Sequence, residues 1–201
     1  MATMNPFHSA RLIYRAVEPN EDEDFFLTIQ QDPIGFRNSN ARLASPQSRE
    51  DVKRYMEHLA SKALLGVVIC LPAPTPESKP IPIGDIHLSP IPSYLAHHRN
   101  TTIGIDILPE YQGKGYGSEA INWVLEWAFQ IAGVHRVAIS AFEWNGGAVR
   151  LYGRLGFQLE GRAREAMWYN GRFWDDVQFG MLEHEWRAKH LSTDGQKTHS
   201  N

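Results

Sequence analysis

Hydrophobic and polar positions along this chain keep switching between a period of two and a period of 3.6, the signature of a sheet interleaved with helices. From Thr102 to Leu108 the residues alternate, with Ile103, Ile105 and Ile107 on one face and Gly104, Asp106 and Leu108 on the other. Pro109 has no N–H to give a sheet ladder and ends or bulges that strand. His135–Phe142 alternates in the same way, setting Val137, Ile139 and Ala141 against Arg136, Ala138 and Ser140. Arg11–Ala16 reads as a first strand, and Leu64–Leu71 and Ile83–Leu88 as two more. The five prolines from Pro72 to Pro82 make the connection between those two an exposed, mobile loop. Phe157–Trp168 and Phe173–Leu182 flank Asn170-Gly171, the dipeptide that favours a tight hairpin turn.

Helical spacing fills the intervals. The acids Glu21 to Asp24 precede Phe25-Phe26-Leu27 and complement a helix N-terminus. A solvated first turn is the simpler reading of that acidic run, and a lure for cationic substrates the sharper one. Asp32–Ser48, broken by Pro33, Gly35 and Pro46, reads as a loop or short helical turns. Ser48-x-x-Asp51 opens a helix to Ala63 with Val52, Tyr55, Met56 and Leu59 on one stripe. Ser118–Ala132 carries Ile121, Val124, Leu125, Ala128 and Ile131 on one face, and Gly133 caps it. Asn145 caps a further helix with Ala148, Leu151, Tyr152 and Leu155 in line, ended by Gly156. The expected organisation is a flexible N-terminus over 1–10, one domain over 11–186 and a loose polar tail over 187–201.

Composition narrows the classes. The chain has 201 residues, 42% of them hydrophobic, enough for one full core. A formal charge of −3 offers no basic footprint for nucleic acid. Cys70 is the single cysteine, which excludes an internal disulfide and fits a reducing, cytoplasmic setting. Met1–Ala10 lacks the apolar core of a signal peptide, and the longest apolar stretch, around Ala63–Leu71, is too short for a membrane span.

The chemistry concentrates after the central strand. Gln112-Gly113-Lys114-Gly115-Tyr116-Gly117 places three glycines in five positions just before the helix at Ser118. Glycines there let backbone N–H groups face outward and let a phosphate come close, while the helix dipole favours negative charge. A Walker loop would need Ser or Thr after Gly113-Lys114, where Gly115 stands, and the dinucleotide fingerprint would need another spacing of the third glycine. Paired His97 and His98 lack a carboxylate or cysteine to complete a metal set and read as a solvated loop.

Q-x-x-G-x-G after a strand ending in proline resembles the acetyl-CoA loop of the GCN5-related N-acetyltransferase superfamily. A second motif downstream, N-x-x-A-x-x-L-Y-x-x-x-G-F from Asn145 to Phe157, resembles the helix that packs along the pantetheine arm in that family. The arrangement N-G-x-x-x-D ending at Asp175 is similar to the subgroup with ribosomal-protein alanine and spermidine acetyltransferases.

The resemblance runs over about Arg11–Trp186 and implies an α+β fold. Its twisted, mainly antiparallel sheet would have six to seven strands, about four flanking helices and two central strands splayed around acetyl-CoA. It further implies that Gln112, Gly113, Lys114, Gly115, Tyr116, Gly117 and Ser118 hold the pyrophosphate. Ile107 and Leu108 would pair through backbone with pantetheine and the thioester carbonyl, with an N–H near Leu108 as oxyanion donor. Asn145 and Ala148 would line the cofactor arm, and Tyr152 would be the general acid toward sulfur, or else a tyrosine packed along that arm.

Many relatives carry a glutamate on the central strand, where Thr101, Thr102 and Gly104 stand here. Asp106 is the first candidate for the base, His87 the second and a water chain the third. The function implied is direct acetyl transfer to a primary amine, with no metal and no covalent enzyme intermediate. The acceptor would be a peptide N-terminus, a polyamine or a xenobiotic amine. A non-catalytic acyl-CoA-binding module on the same fold is the alternative. Trp168, Tyr169, Phe173 and Trp174 cluster at the terminal hairpin. They read as turn packing first, and as a pocket rim or homodimer contact second.

Overall fold

A computed structural model describes residues 5–194, and side chains as far as His190. Seven strands form one sheet in the order β1-β2-β3-β4-β5-β7-β6: β1 Ile13–Ala16, β2 Leu65–Leu71, β3 Ile81–Leu88, β4 Asn100–Ile107, β5 Arg136–Phe142, β6 Gln158–Tyr169 and β7 Arg172–Leu182. All neighbours run antiparallel except β4 and β5. That parallel pair is joined at Asn100↔Arg136, Thr101↔Val137 and Thr102↔Ala138. Among the described residues the pairing stops there, so the later halves of both strands diverge and leave a gap in the middle of the sheet.

The described residues form six α-helices: α1 Glu23–Gln31, α2 Pro33–Ser39, α3 Arg49–Glu57, α4 Tyr116–Glu126, α5 Gly146–Leu155 and α6 Glu183–Asp194. The expectation of about four did not include α6, nor α2, which forms where a loop or short helical turns were expected. Asp32 starts α2 by accepting the Ile34 N–H at 3.0 Å, Pro33 suits the first turn, and Phe36 buries itself beneath. The segment expected to be a loose tail begins instead as α6. Trp186 is buried against Phe129, and Glu185 accepts the Leu182 N–H at 2.9 Å. Residues 195–201 and 1–4 lie outside the described part. From Phe7 on, the N-terminal segment is docked: Tyr14 N–H donates to the Phe7 carbonyl and Trp123 Nε1 to the Pro6 carbonyl.

Local expectations hold where the chemistry is short-ranged. Ser48 and Asp51 make the reciprocal capping box that opens α3. Asn170 (φ 52°) and Gly171 (φ 80°) both adopt the left-handed conformation of a tight hairpin turn. Both α3 and α4 end in π-helical turns, His58–Lys62 and Trp127–Ile131. The Pro-rich connection is exposed, with a Thr75–Ser78 turn and Lys79 paired to Glu21.

Two apolar cores sandwich the sheet. On one face α4 packs Ile121, Val124 and Leu125 over Ile83, Ile86, Ile103 and Ile139. Each such buried side chain contributes about 1.5–3 kcal/mol. On the other face α1 and α3 enclose Phe26, Val52, Met56 and Val68 together with Cys70. Burial pushes the Cys70 thiol up, with nearby Arg15 opposing. No helix among the described residues is long and apolar enough to cross a membrane.

Candidate functional site

The gap between β4 and β5 opens into a cleft of about 720 Å3. One half is walled by the glycine turn and by α5, the other by α2 and β3. Of the residues singled out in the sequence, Asp106, Ile107, Gln112, Gly113, Gly115, Gly117, Ser118, Asn145, Ala148 and Tyr152 all line it. Leu108, Lys114 and Tyr116 do not.

Backbone register decides which amides face the gap. Leu108 N–H donates to the Ile83 carbonyl at 2.9 Å, and Ser89 N–H donates to the Thr102 carbonyl at 2.9 Å. Even-numbered residues of β4 therefore bond to β3, and the odd-numbered Ile103, Ile105 and Ile107 turn their amides the other way. The expected donor near Leu108 is therefore not the Leu108 N–H itself, which is already bonded inside the sheet. Ile107 is the residue that presents its N–H to the gap. Its carbonyl is taken by Gln112 Nε2 at 2.7 Å, which ties the glycine turn to the strand end.

That turn is built to expose N–H groups. Gly113 (φ 70°) and Gly115 (φ 85°) sit in the left-handed region, and Gly115 is the N-cap from which α4 starts. The first helical turn leaves its N–H groups without intrahelical acceptors and adds the positive end of the helix dipole. Both features fit a diphosphate. Support comes from far away in sequence: Arg11 pairs with Glu119 (Nε–Oε2 2.7 Å), donates to the Lys114 carbonyl at 3.1 Å and lies over the Tyr116 ring. Arg154 of α5 also lines the cleft, exposed and without an ion-pair partner among the described residues. Neither arginine was singled out from the sequence, since spacing alone does not show what a surface cation faces.

Across the gap, Asn145 Oδ1 accepts the Ala148 N–H at 3.2 Å, leaving its amide donors free toward the cleft. Tyr152 is buried between Phe157 and Phe179. Among the described residues its hydroxyl has no hydrogen-bond partner. Burial, with the Asp106 charge adding to it, pushes that hydroxyl up to about 12 and keeps it protonated.

The second half of the cleft holds the carboxylate. Asp106 stands on the face of β4 opposite the isoleucines and directly across from Asp85 of β3. Burial raises Asp106 to about 6; the nearby Ser39 hydroxyl opposes this, and the Asp32 charge adds to it. Asp85 is fully buried and raised well above the usual carboxylate range, first by burial and then by Asp106, while the Tyr55 hydroxyl donates to its Oδ1 at 2.9 Å. His87 also lines this half, and burial, with His58 beside it, lowers it to about 4.

The acidic run expected at the first helix is neutralised within the protein. Asp22 is clasped by Arg15, Glu23 and Asp24 by Arg49, and Glu21 by Lys79. Asp175 of the hairpin signature accepts the Glu165 N–H at 3.0 Å, holding a bulge in β6 where Glu165 has φ 54°. Trp144, Tyr169 and Trp174 pack together next to Phe142, while Trp168 and Phe173 stay exposed at the tip. His97 and His98 sit exposed on the turn Ser93–His98.

Comparison with known proteins places the fold in a family. Residues 11–158 match the family described as acetyltransferase (GNAT) domain. Spermidine N(1)-acetyltransferase of Escherichia coli K12 is 29% identical over 99 residues, 49% of this chain and 53% of that protein. The chain thus spans about half the length of that relative. The SPbeta prophage-derived uncharacterized N-acetyltransferase YokL of Bacillus subtilis 168 is 26% identical over 181 residues, covering 89% of this chain and 94% of the relative. Among solved structures, a spermidine N-acetyltransferase from Vibrio cholerae in complex with CoA and spermine superimposes with a TM-score of 0.74. It is 26% identical, and the match covers 89% of this chain and 99% of the other.

Proposed function

We infer the activity from a premise the comparisons establish, that this chain belongs to the acetyltransferase (GNAT) family: it transfers the acetyl group of acetyl-CoA to a primary amine within a ternary complex. The observation that carries this reading is the break in pairing after Thr102↔Ala138. It opens one cleft with a phosphate-type turn at one end and a raised carboxylate at the other.

Acetyl-CoA supplies the acyl group as a thioester. Its diphosphate is held by the N–H groups from Gly113 to Ser118, and its pantetheine arm lies between Ile105–Ile107 and the Asn145 amide. An ammonium has no lone pair, so the acceptor first loses a proton to Asp106. The Ile107 N–H stabilises the oxyanion that forms as nitrogen bonds to the carbonyl carbon. As the C–S bond breaks, Tyr152 gives its hydroxyl proton to sulfur, and the nitrogen sheds its second proton to re-form that hydroxyl, leaving amide, free thiol and the one proton on Asp106, which passes to solvent. Cys70 lies in the core away from the cleft, which supports direct transfer over a covalent relay.

Acceptor charge follows from the lining. Asp106 is the one carboxylate among the described residues that line the cleft, and the acidic run Glu21–Asp24 is paired internally. A single ammonium is the charge this site balances. An α-amine, with a pKa of about 8, also lies closer to the base than an alkyl ammonium at about 10.4. The relatives that act on spermidine favour a polyamine as the second reading. The exposed Trp168–Phe173 pair supports self-association of this chain, which light scattering tests.

An amine panel read by thiol release decides among these. L-alaninamide, phenethylamine and spermidine are the probes, and the expected order places spermidine at least tenfold below L-alaninamide in kcat/KM. Tight acetyl-CoA binding without acceptor-dependent thiol release would convert the assignment to a non-catalytic acyl-CoA-binding module.

A further inference from the structure

His87 occupies a position that the fold has cleared for it. Its cross-strand partners are both glycines, Gly66 on β2 and Gly104 on β4. A Cβ at position 104 would collide with His87 Cε1 and stand 2.6 Å from Nε2, so the ring lies flat over the bare strand. A Cβ at position 66 would collide with the Leu59 carbonyl, because the π-helical turn His58–Lys62 presses against β2 there. That close approach brings His58 beside His87, with ring centroids 6.1 Å apart, while Tyr55 closes another side at 6.4 Å. The notch opens on the cleft beside Asp106, two residues along β4 from Gly104 and on the same face.

The imidazole has no protein hydrogen bond among the described residues. Its Nδ1 is sealed from solvent without a partner. Nε2 is the nitrogen left at the open edge. Held low by burial, the ring stays neutral at physiological pH, keeps a lone pair and does not repel a cation. A buried polar side chain without a protein partner, at the mouth of a cleft, points to a partner from outside the fold.

We propose that His87 is an acceptor-site residue whose imidazole Nε2 receives an N–H of the incoming amine while Asp106 receives its departing proton. An ammonium carries three N–H donors and Asp106 engages one of them. A second acceptor fixes the rotation of the nitrogen, so that its lone pair, once free, faces the acyl carbon. Gly104 belongs to the same device, since any side chain there would evict the ring. The proposal rests on the acetyltransferase reading, and its test separates the two.

His87→Leu fills the notch without offering an acceptor, and His87→Gln restores one. With L-alaninamide, the leucine variant is expected to lose at least tenfold in kcat/KM, mainly through KM. The glutamine variant should stay within about fivefold of wild type, and acetyl-CoA affinity by calorimetry should be unchanged in both. His87→Ala should recover activity on addition of free imidazole and not of pyrrole, which fills the same notch without a nitrogen lone pair; equal rescue by both overturns the proposal. Leucine at wild-type kcat/KM, or glutamine falling as far as leucine, overturns the proposal. If the wild type acetylates none of the amines, the activity reading fails, but the site is still tested by NMR on the CoA-saturated protein. L-alaninamide should then shift the His87 ring resonances, and an unmoved ring overturns the assignment.

Discussion

Replacing Asp106 by Asn should make this protein more stable and less active at once. Folding carries the carboxyl from about 3.9 in the unfolded chain to about 6, with burial as the main cause. The sign follows from linkage. Below pH ~4 both states are protonated and nothing is lost. Between ~4 and ~6 the unfolded chain ionises first, and native stability falls. Above ~6 the loss is constant. At ~1.4 kcal/mol per tenfold, the full shift corresponds to ~3 kcal/mol. Asp106 is half-buried beside an open cleft, so water relaxes part of the penalty and ~1–3 kcal/mol is expected. For a chain of this size that is a Tm gain of about 2–10 °C at pH 7.5, shrinking toward zero at pH 4. Asn has nearly the shape of Asp, so the variant removes charge and little else. Calorimetric melts of both proteins across pH 4–8 supply the comparison, beside a turnover loss of at least tenfold at unchanged acetyl-CoA affinity. A variant melting at or below wild type at pH 7.5, or a gain that persists at pH 4, refutes the electrostatic reasoning. Unchanged turnover retires Asp106 as the base.

Three further outcomes test neighbouring parts. Asp85→Asn keeps an acceptor for the Tyr55 hydroxyl and removes a fully buried acid, so its Tm should exceed wild type by a margin that grows as pH rises, with turnover within a few-fold. Tyr152→Phe should lower kcat by ~10–100-fold, the scale of one general acid, with acetyl-CoA affinity within twofold by calorimetry. Gly115→Ala forces a residue with a Cβ into φ 85°, 3.2 Å from an Arg11 nitrogen, at ~1–2 kcal/mol of strain. Its acetyl-CoA KM should rise at least tenfold while the fold survives.

The sequence is most readable where the governing contacts are local. The Ser48–Asp51 box, the Asn145 cap and the Asn170-Gly171 turn each depend on residues within four positions, and each forms as read. The glycine turn and the Asn145–Phe157 motif likewise locate the walls of one half of the cleft. What stayed hidden depends on register or distance. Whether Ile107 or Leu108 offers its N–H follows from how β4 aligns with β3, which alternation alone leaves open. The Asp85–Asp106 neighbourhood is a cross-strand pairing, and Arg11 meets Glu119 across 108 positions. The last helix is hard to see because charged residues dominate its pattern, although Trp186 at its start is the anchor that a core would claim. His87 could be noticed as a candidate base, but the glycines that frame it lie on two other strands.

The central claim is that the turn from Gln112 to Ser118 grips the diphosphate of coenzyme A while the β4–β5 gap takes the pantetheine arm. Titration calorimetry with CoA addresses it directly. The account predicts one site per chain, weakened at least tenfold by Gly115→Ala and bound more tightly than ATP or NAD. An absence of heat with CoA, or tighter binding of either nucleotide, contradicts it.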